Sequence, residues 1–592
     1  MGQGQSDAQP QRRSREQLAH ELARKFQALC FTSLEQYCFN DVFQSLADHQ
    51  DEVRYIKEDT LARFLELPDI LAASPVVFQI VSYLGAFPFL QDAPVVMEHP
   101  RMIIALSILT ERYRRVLAKG SRDRTKLLFK SLAVFDRKAS EAGIDTSEKP
   151  EASTASSHVA GFAVDEAGAD AEDADEDDLV LETFELLDIN HAVMEGDAPA
   201  PFDALIPTDN FRKLLLLLLL VAPLEPQERL SRYTARVTGD QLESLRTRAE
   251  HVLASFVDPE TSPGIKYSHF IKVIPVLCPN LFNGFNALFE HFLFSKNLDF
   301  SQHKDEKPEA LPMVQPLIKD TGDILDEHTL SQISLFLPGS DLFHRVRLLY
   351  SGNQAGFSMR SFETKVFNWR APTILLVRGT RLSRVPEGGQ EAAFADSIPP
   401  NRFPPGSKSD SLTFGVFVKQ PWKHTFTECF GDSDTVLFQL EPVHDVFAPS
   451  KLNQDFVAFT KTFLGFGCPP PKKTQSHRRE EMHSLGAVSL LLNDSFEFGV
   501  FNHNYRSRGG AFQTSVTRRY DFQDRFQIES MEVWGCGGDA ESKAQAEQWA
   551  WEEREAEARR RINLGSGDIE ADRALLEMAG LVGNNRSGGS MG

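Results

Sequence analysis

Cysteine is scarce in this chain of 592 residues: six are present, at 30, 38, 278, 429, 468 and 536. None forms a C-x-x-C pair, and none is followed by histidines at zinc-finger spacing. That excludes a disulfide scaffold and a structural zinc module, and fits free thiols in a reducing compartment. Long apolar runs are also missing. The longest, Leu214 to Ala222 with seven consecutive leucines, falls far short of the ~20 residues that span a bilayer. It reads as a buried helix end. The polar N-terminus has no apolar stretch of secretory type, so no secretory signal is expected. Positive charge is in deficit, with 63 Lys and Arg against 84 Asp and Glu and a formal net charge of −21. A nucleic-acid backbone is repelled by such a chain, and direct nucleic-acid binding is not expected.

Catalytic signatures are absent as well. No G-x-x-x-x-G-K-[ST] loop occurs, and Gly406-Ser407-Lys408-Ser409 lacks the preceding glycine. No H-E-x-x-H occurs: His20-Glu21 is followed by Arg24. No G-x-S-x-G elbow is present. No cofactor motif stands out and no catalytic residue is nominated.

What is present is length, helical periodicity and a strand-rich final third. A chain this long needs two or three cores. Residues 16 to 300 read as an all-α region. Leu18, Leu22, Phe26 and Leu29 share a helical face, as do Leu242, Leu245, Val252 and Phe256. Residues 139–200 read as an acidic insert within it. Nine of the fourteen residues 165–178 are acidic and none is basic, so this run repels itself and cannot bury a core. Residues 301–322 read as a linker. Residues 323–537 hold short alternating runs: Ile374 to Val377; Phe414, Val416 and Val418; Val436, Phe438 and Leu440; Val488, Leu490 and Leu492; Phe496, Phe498 and Val500; Phe526 to Trp534. Split by Gly, Pro, Asn and Asp, they predict a two-layered antiparallel β-sandwich with flanking helices, hence an α+β fold. Loops are expected inside it at 383–411 and 467–483. The second carries Lys472-Lys473 and Arg478-Arg479. Residues 538–592 predict a helical or unstructured tail, with Trp549 and Trp551 nearly alone on a polar helix.

Two further patterns concern ligands. Met1-Gly2-Gln3-Gly4-Gln5-Ser6 fits the N-myristoylation pattern, with Gly2 as acceptor. One acyl chain binds membranes only marginally, on the order of 10⁴ M⁻¹, so a second signal is required. Arg12, Arg13 and Arg15 offer a basic patch, and a membrane-bound partner would serve through avidity. Asp258 to His269 is shaped like a calcium loop with Ile265 at its eighth position. It has Pro263 where a glycine turn is needed and His269 where a bidentate carboxylate is needed. His49 to Thr60, with Ile56 at the eighth position, is a second such echo, and a third resumes near Ile206. Degenerate EF-hand-like packing without a metal is expected.

The final block carries an ordered motif series. It runs through Asp326-Glu327-His328-Thr329-Leu330, Leu348-Leu349-Tyr350-Ser351, Gly356-Phe357-Ser358, Ala371-Pro372-Thr373, Cys429-Phe430-Gly431-Asp432 and Leu440-Glu441-Pro442. It closes on Glu532-Val533-Trp534-Gly535. This series resembles a TLDc domain. With the helical region before it and the acylation pattern, the chain resembles the fungal restriction of telomere capping protein 5 family. The resemblance implies a non-enzymatic interaction protein. It implies a partner in the peripheral sector of the vacuolar proton-ATPase, at the cytosolic face of the vacuole membrane, with the acyl chain at Gly2 on the membrane surface. The family name implies some influence on telomere capping. Glu532, Trp534 and Gly535 are its signature residues. Trp534 is expected to close the core and Glu532 to satisfy backbone donors. The alternatives are an oxidative-stress protein acting through a reactive cysteine, by analogy with oxidation resistance proteins, and a calcium-responsive adaptor.

Overall fold

In a computed structural model, the residues described are 14–50, 53–90, 94, 96–117, 123–134, 179, 182–183, 186–187, 204–224, 228–257, 262–293, 320, 322–337, 346–383, 388–470 and 482–536. Gly2, Arg12, Arg13, the acidic run 165–178, the Lys472 to Arg479 cluster and the tail beyond Cys536 lie outside them.

The first half is helical. Helices α1 (Arg15–Cys30) and α2 (Ser33–Leu46) each begin with a capping box, Ser14 with Gln17 and Thr32 with Glu35. These side chains satisfy N–H groups that the first helical turn leaves open. Strands β1 (Asp48–Gln50) and β2 (Val53–Ile56) lead into α3 (Glu58–Phe64), then α4 (Ser74–Gly85). Strand β3 (Met97–Glu98) enters α5 (His99–Leu109), and α6 (Asp123–Leu132) follows. Strand β4 (Leu205–Pro207) enters α7 (Thr208–Val221), which holds the leucine run. Every residue from Leu214 to Val221 is buried. Next come α8 (Gly239–Leu253), β5 (Gly264–Lys266), α9 (Tyr267–Leu277) and α10 (Asn283–Glu290).

Four of these strands sit immediately before a helix, and they pair two by two. Ile56 lies opposite Met97, and Ile206 opposite Ile265. One hydrophobic core runs through all the helices. The block 139–200 is not wholly an excursion from it. Leu179 and Leu187 are fully buried there, and the Lys25 ammonium donates to the Leu186 carbonyl. Periodicity could not reveal this, because the anchoring leucines are few and border a long polar run.

The second half is built on a ten-stranded antiparallel sheet. Its strands are β6 (Val346–Ser351), β7 (Thr373–Arg381), β8 (Ser411–Val418), β9 (Val436–Glu441), β10 (Asp445–Phe447), β11 (Val457–Phe459), β12 (Phe463–Phe466), β13 (Val488–Asn493), β14 (Phe498–His503) and β15 (Phe522–Cys536). The order is β10-β9-β8-β7-β15-β14-β13-β12-β11, with β6 beside the end of β15. Strand β15 is the hinge of this arrangement. Its first residues, Phe522 to Gln527, pair with β14; β7 pairs with it from Phe526 to Gly535 and β6 from Glu532 to Cys536, and the register against β7 slips between Ile528 and Ser530. A bulge bends a strand and raises its twist, so one hydrogen-bonded sheet folds into two facing layers.

The shared core between the layers is aromatic: Phe414 stacks on Phe501 at 4.7 Å and on Phe526 at 5.5 Å. Alternation along β7 sends Leu375 and Val377 into this core, and Ile374 and Leu376 to the outer face. Helix α11 (Glu327–Ser334) covers that outer face through Leu330 and Ile333. Helix α12 (Met359–Val366) buries Phe362 and Val366 in the inner core. Within the expected loop 383–411 the chain instead forms α13 (Gly389–Ser397). Phe394 and Ile398 cap the other outer face, against Leu491 and Phe498. The glycines and prolines that suggested a loop sit at its ends.

Candidate functional site

The end of β15 fixes the segment that leads into α11. Glu532 is fully buried. Its Oε1 accepts from the backbone N–H groups of Asp323 and Ile324, the latter at 3.0 Å. Its Oε2 accepts from Leu325 N at 3.2 Å and from the Trp534 indole Nε1 at 2.9 Å. Four N–H donors thus surround a carboxylate that no described cation pairs with, a strongly charge-assisted arrangement. Trp534 is fully buried in the outer-face core. A Cβ on Gly322 would lie 2.6 Å from the Trp534 ring, and one on Gly535 would lie 2.6 Å from the Trp369 ring. The three signature residues therefore sit together as an internal clamp, with no face open to solvent.

Helix α11 carries that clamp to the seam between the two halves of the chain. Asp326 caps α11 through Thr329 N at 2.6 Å and accepts from Ser244 of α8 at 3.2 Å. Arg236 pairs with Glu327. Asn280 donates its backbone N–H to Leu335 O at 2.9 Å, and its side chain to the carbonyls of Ser334 and Leu337. His444, in the β9–β10 turn, is fully buried. Its Nε2–H donates to Leu277 O at 3.0 Å, and its Nδ1 accepts from Gln332 at 3.3 Å. Its backbone N–H reaches His251 O at 2.9 Å, and its carbonyl accepts from the Ser255 hydroxyl. This pattern fits a neutral imidazole only, because a second ring N–H would face the Gln332 donor. Burial pushes His444, His251 and His328 below the ordinary histidine range. Leu335 joins the helical core itself, so the seam is apolar as well as hydrogen-bonded.

The cysteines sit in unreactive surroundings. Five are buried, and Cys429 is half-buried. Burial raises Cys30 to about 11, and Cys429, Cys468 and Cys536 to about 12. A thiolate is the nucleophile, so these are protonated thiols at neutral pH. Among the described residues no three His, Cys, Asp or Glu side chains gather as metal ligands would. A cleft of about 80 Å³ between α1 and residues 94–101 is lined by Glu16, His20 and Arg101. It is small beside the ~300 Å³ of ordinary ligand pockets. No described helix is long and apolar enough to cross a membrane. Of the N-terminal arginines, Arg15 lies over the Phe89 ring at 5.5 Å.

Sequence reasoning singled out Glu532, Trp534 and Gly535, and the structure brings them together. It missed the seam: Asn280, Gln332 and His444 are single polar residues, and nothing in their spacing marks them.

Comparison with known proteins agrees with the architecture. The family model described as TLDc domain matches residues 318–537. A Fusarium vanettenii protein named Restriction of telomere capping protein 5 is 68% identical, with both chains fully covered. Proteins of the same name from Colletotrichum graminicola and Neurospora crassa are 64% and 53% identical, again over the whole of each chain. The chain belongs to the restriction of telomere capping protein 5 family, and carries that family's TLDc domain behind a helical region.

Proposed function

We propose that this protein is a non-enzymatic regulator that presents its TLDc domain to the peripheral sector of the vacuolar proton-ATPase. It acts at the cytosolic face of the vacuole membrane, where an acyl chain on Gly2 holds it. The observation that carries the non-enzymatic part is the fate of the signature motif residues. Glu532, Trp534 and Gly535 are spent on internal bonds and packing. The described thiols are buried or pushed up in pKa, which speaks against the reactive-cysteine alternative. Such a molecule works through differential contact: it shifts the pump toward whichever assembly state binds it more tightly.

The helical region serves as a rigid mount. Its two pairs of helix-entry strands, bridged at Ile56/Met97 and Ile206/Ile265, support a degenerate EF-hand-like reading. The seam at His444, Gln332 and Asn280 holds that mount against the TLDc domain. The influence on telomere capping that the relatives' name records is then an indirect consequence of altered vacuolar function.

Crosslinking mass spectrometry on vacuolar membranes tests this reading, comparing the native chain with Gly2→Ala. The expected result is crosslinks between residues 318–537 and peripheral-sector subunits, lost or sharply reduced in the variant. Crosslinks to no pump subunit in either protein would overturn it.

A further inference from the structure

One end of the TLDc sandwich carries a concentration of unpaired positive charge that the reading above does not use. It is formed by the chain between β10 and β11 and the chain between β14 and β15. These two stretches are tied together: Ser450 N donates to Ala511 O at 2.7 Å, and Asn453 Nδ2 to Gly509 O at 3.2 Å. Lys451, Arg506, Arg508 and Arg519 are all exposed there. None of them forms an ion pair with a described carboxylate, in contrast to Arg518 beside them, which is buried against Asp445. Two acids lie close by, Asp455 and Asp521, and both are half-buried. Asp521 already accepts from Tyr505 N at 2.7 Å, and the Asp455 backbone N–H is turned to Asn453. Four free cations on a chain of net charge −21 form a local patch of the opposite sign to the rest of the molecule.

Leu452, next to Lys451 in the chain, has 80% of its surface exposed, the highest value among the large apolar side chains described. Tyr505 and Tyr520, chain neighbours of Arg506 and Arg519, are 38% and 46% exposed. The Tyr520 hydroxyl donates to Gly406 O at 3.0 Å, which fixes the position of its ring. An exposed apolar tip, partly exposed tyrosines and unpaired cations form a composition suited to a membrane–water interface. The tip enters the acyl boundary, the tyrosines lie at headgroup depth, and the cations meet anionic headgroups. A protruding leucine suits a deformable bilayer better than a folded partner, which would need a preformed pocket for it.

We propose that this loop face, Lys451–Leu452 with Arg506, Arg508 and Arg519, docks on an anionic lipid surface. It supplies the second membrane signal that a single acyl chain requires, and it orients the TLDc domain against the bilayer. The face works without acylation, so its test is independent of the pump-binding reading. Each cation near an anionic leaflet strengthens partitioning on the order of five-fold at physiological salt, and the effect is screened as salt rises.

The experiment is co-flotation of the full-length, unacylated Gly2→Ala protein with vesicles of phosphatidylcholine, with and without one-third phosphatidylserine. The expected result is binding to the anionic vesicles alone. Arg506→Glu/Arg508→Glu should lower it at least about ten-fold, and Leu452→Ser several-fold. Arg360→Glu, a charge reversal at an exposed position in α12, should leave it unchanged. Circular dichroism shows whether each variant is folded. Because these side chains are exposed and unpaired, folded variants are expected. Anionic binding that the Arg506/Arg508 reversal leaves intact would overturn the proposal. So would equal binding to neutral vesicles, or competition-proof capture of a soluble polyglutamate by the same face with no vesicle binding.

Discussion

Glu532→Gln changes one atom of a buried side chain and should be severe. In the native protein Oε1 accepts from two backbone N–H groups and Oε2 from a third and from the Trp534 indole. A glutamine offers one oxygen and one NH₂. Whichever way the amide lies, its NH₂ faces two donors, and two hydrogen bonds to a charged acceptor are lost. Such bonds contribute roughly 1.5–3 kcal/mol each, so the expected loss is about 3–6 kcal/mol. That is a large part of the ~5–15 kcal/mol that stabilises a typical domain. The loss is local first. Residues 323–325 are released, and with them the entry to α11, whose Asp326 accepts from Ser244 across the seam and whose Gln332 bonds the seam residue His444. Hydrogen exchange should therefore accelerate over residues 322–337 before it does in β7 or β8, and the urea midpoint should fall. The reasoning is refuted if the midpoint drops by less than the equivalent of ~1 kcal/mol and exchange in that segment is unchanged.

Three further outcomes are expected. The seam histidines His251, His328 and His444 have folded pKa values below the ordinary ~6.5. The unfolded chain therefore binds more protons below pH 6.5. Stability is fully present above that value and falls as pH drops, by up to ~1.4 kcal/mol per pH unit for each group; urea melts at pH 7.5 and 5.5 check this, and equal or higher stability at 5.5 would contradict it. Asp524, raised by burial, acts in the opposite direction as a single group, so it cannot reverse the trend. Maleimide labelling of the native protein at pH 7.5 should be slow throughout and reach Cys429 first, because it is the half-buried thiol; rapid stoichiometric labelling of any other described cysteine would show that site to be open. Gly535→Ala should destabilise by about 1–3 kcal/mol, read by thermal melting, because its new methyl meets the rigid Trp369 ring at 2.6 Å.

Much of the fold was legible where periodicity had little competition. The leucine run read as a buried helix because nothing but a core accommodates Leu214 to Leu220. The strands at Thr373, Ser411, Val436, Val488 and Phe522 stood out as alternating apolar runs. The short strands β10, β11 and β12 did not. Three or four residues are too few for alternation to register, and all of Phe463 to Phe466 are buried whichever face they point to. Helix α13 was hidden because Ala, Glu and Gln between glycine and proline pairs carry only one large apolar residue, Phe394. The signature residues could be named from the motif series, and an internal role assigned to Glu532. Its particular donors, Asp323 to Leu325, could not, since they are backbone groups about 208 positions away. The seam was invisible for the same reason, and the cationic loop face was dispersed over residues 451 to 519.

The central claim is that the chain acts by presenting a surface to a larger machine at a membrane. The most direct measurement is the ratio of membrane-bound to free peripheral sector of the vacuolar proton-ATPase, in cells lacking the chain and in cells overproducing it. The account predicts that the ratio moves in opposite directions in the two strains, and that Gly2→Ala overproduction fails to move it. A ratio that stays constant across all three, with the protein present at normal levels and folded, would contradict the account.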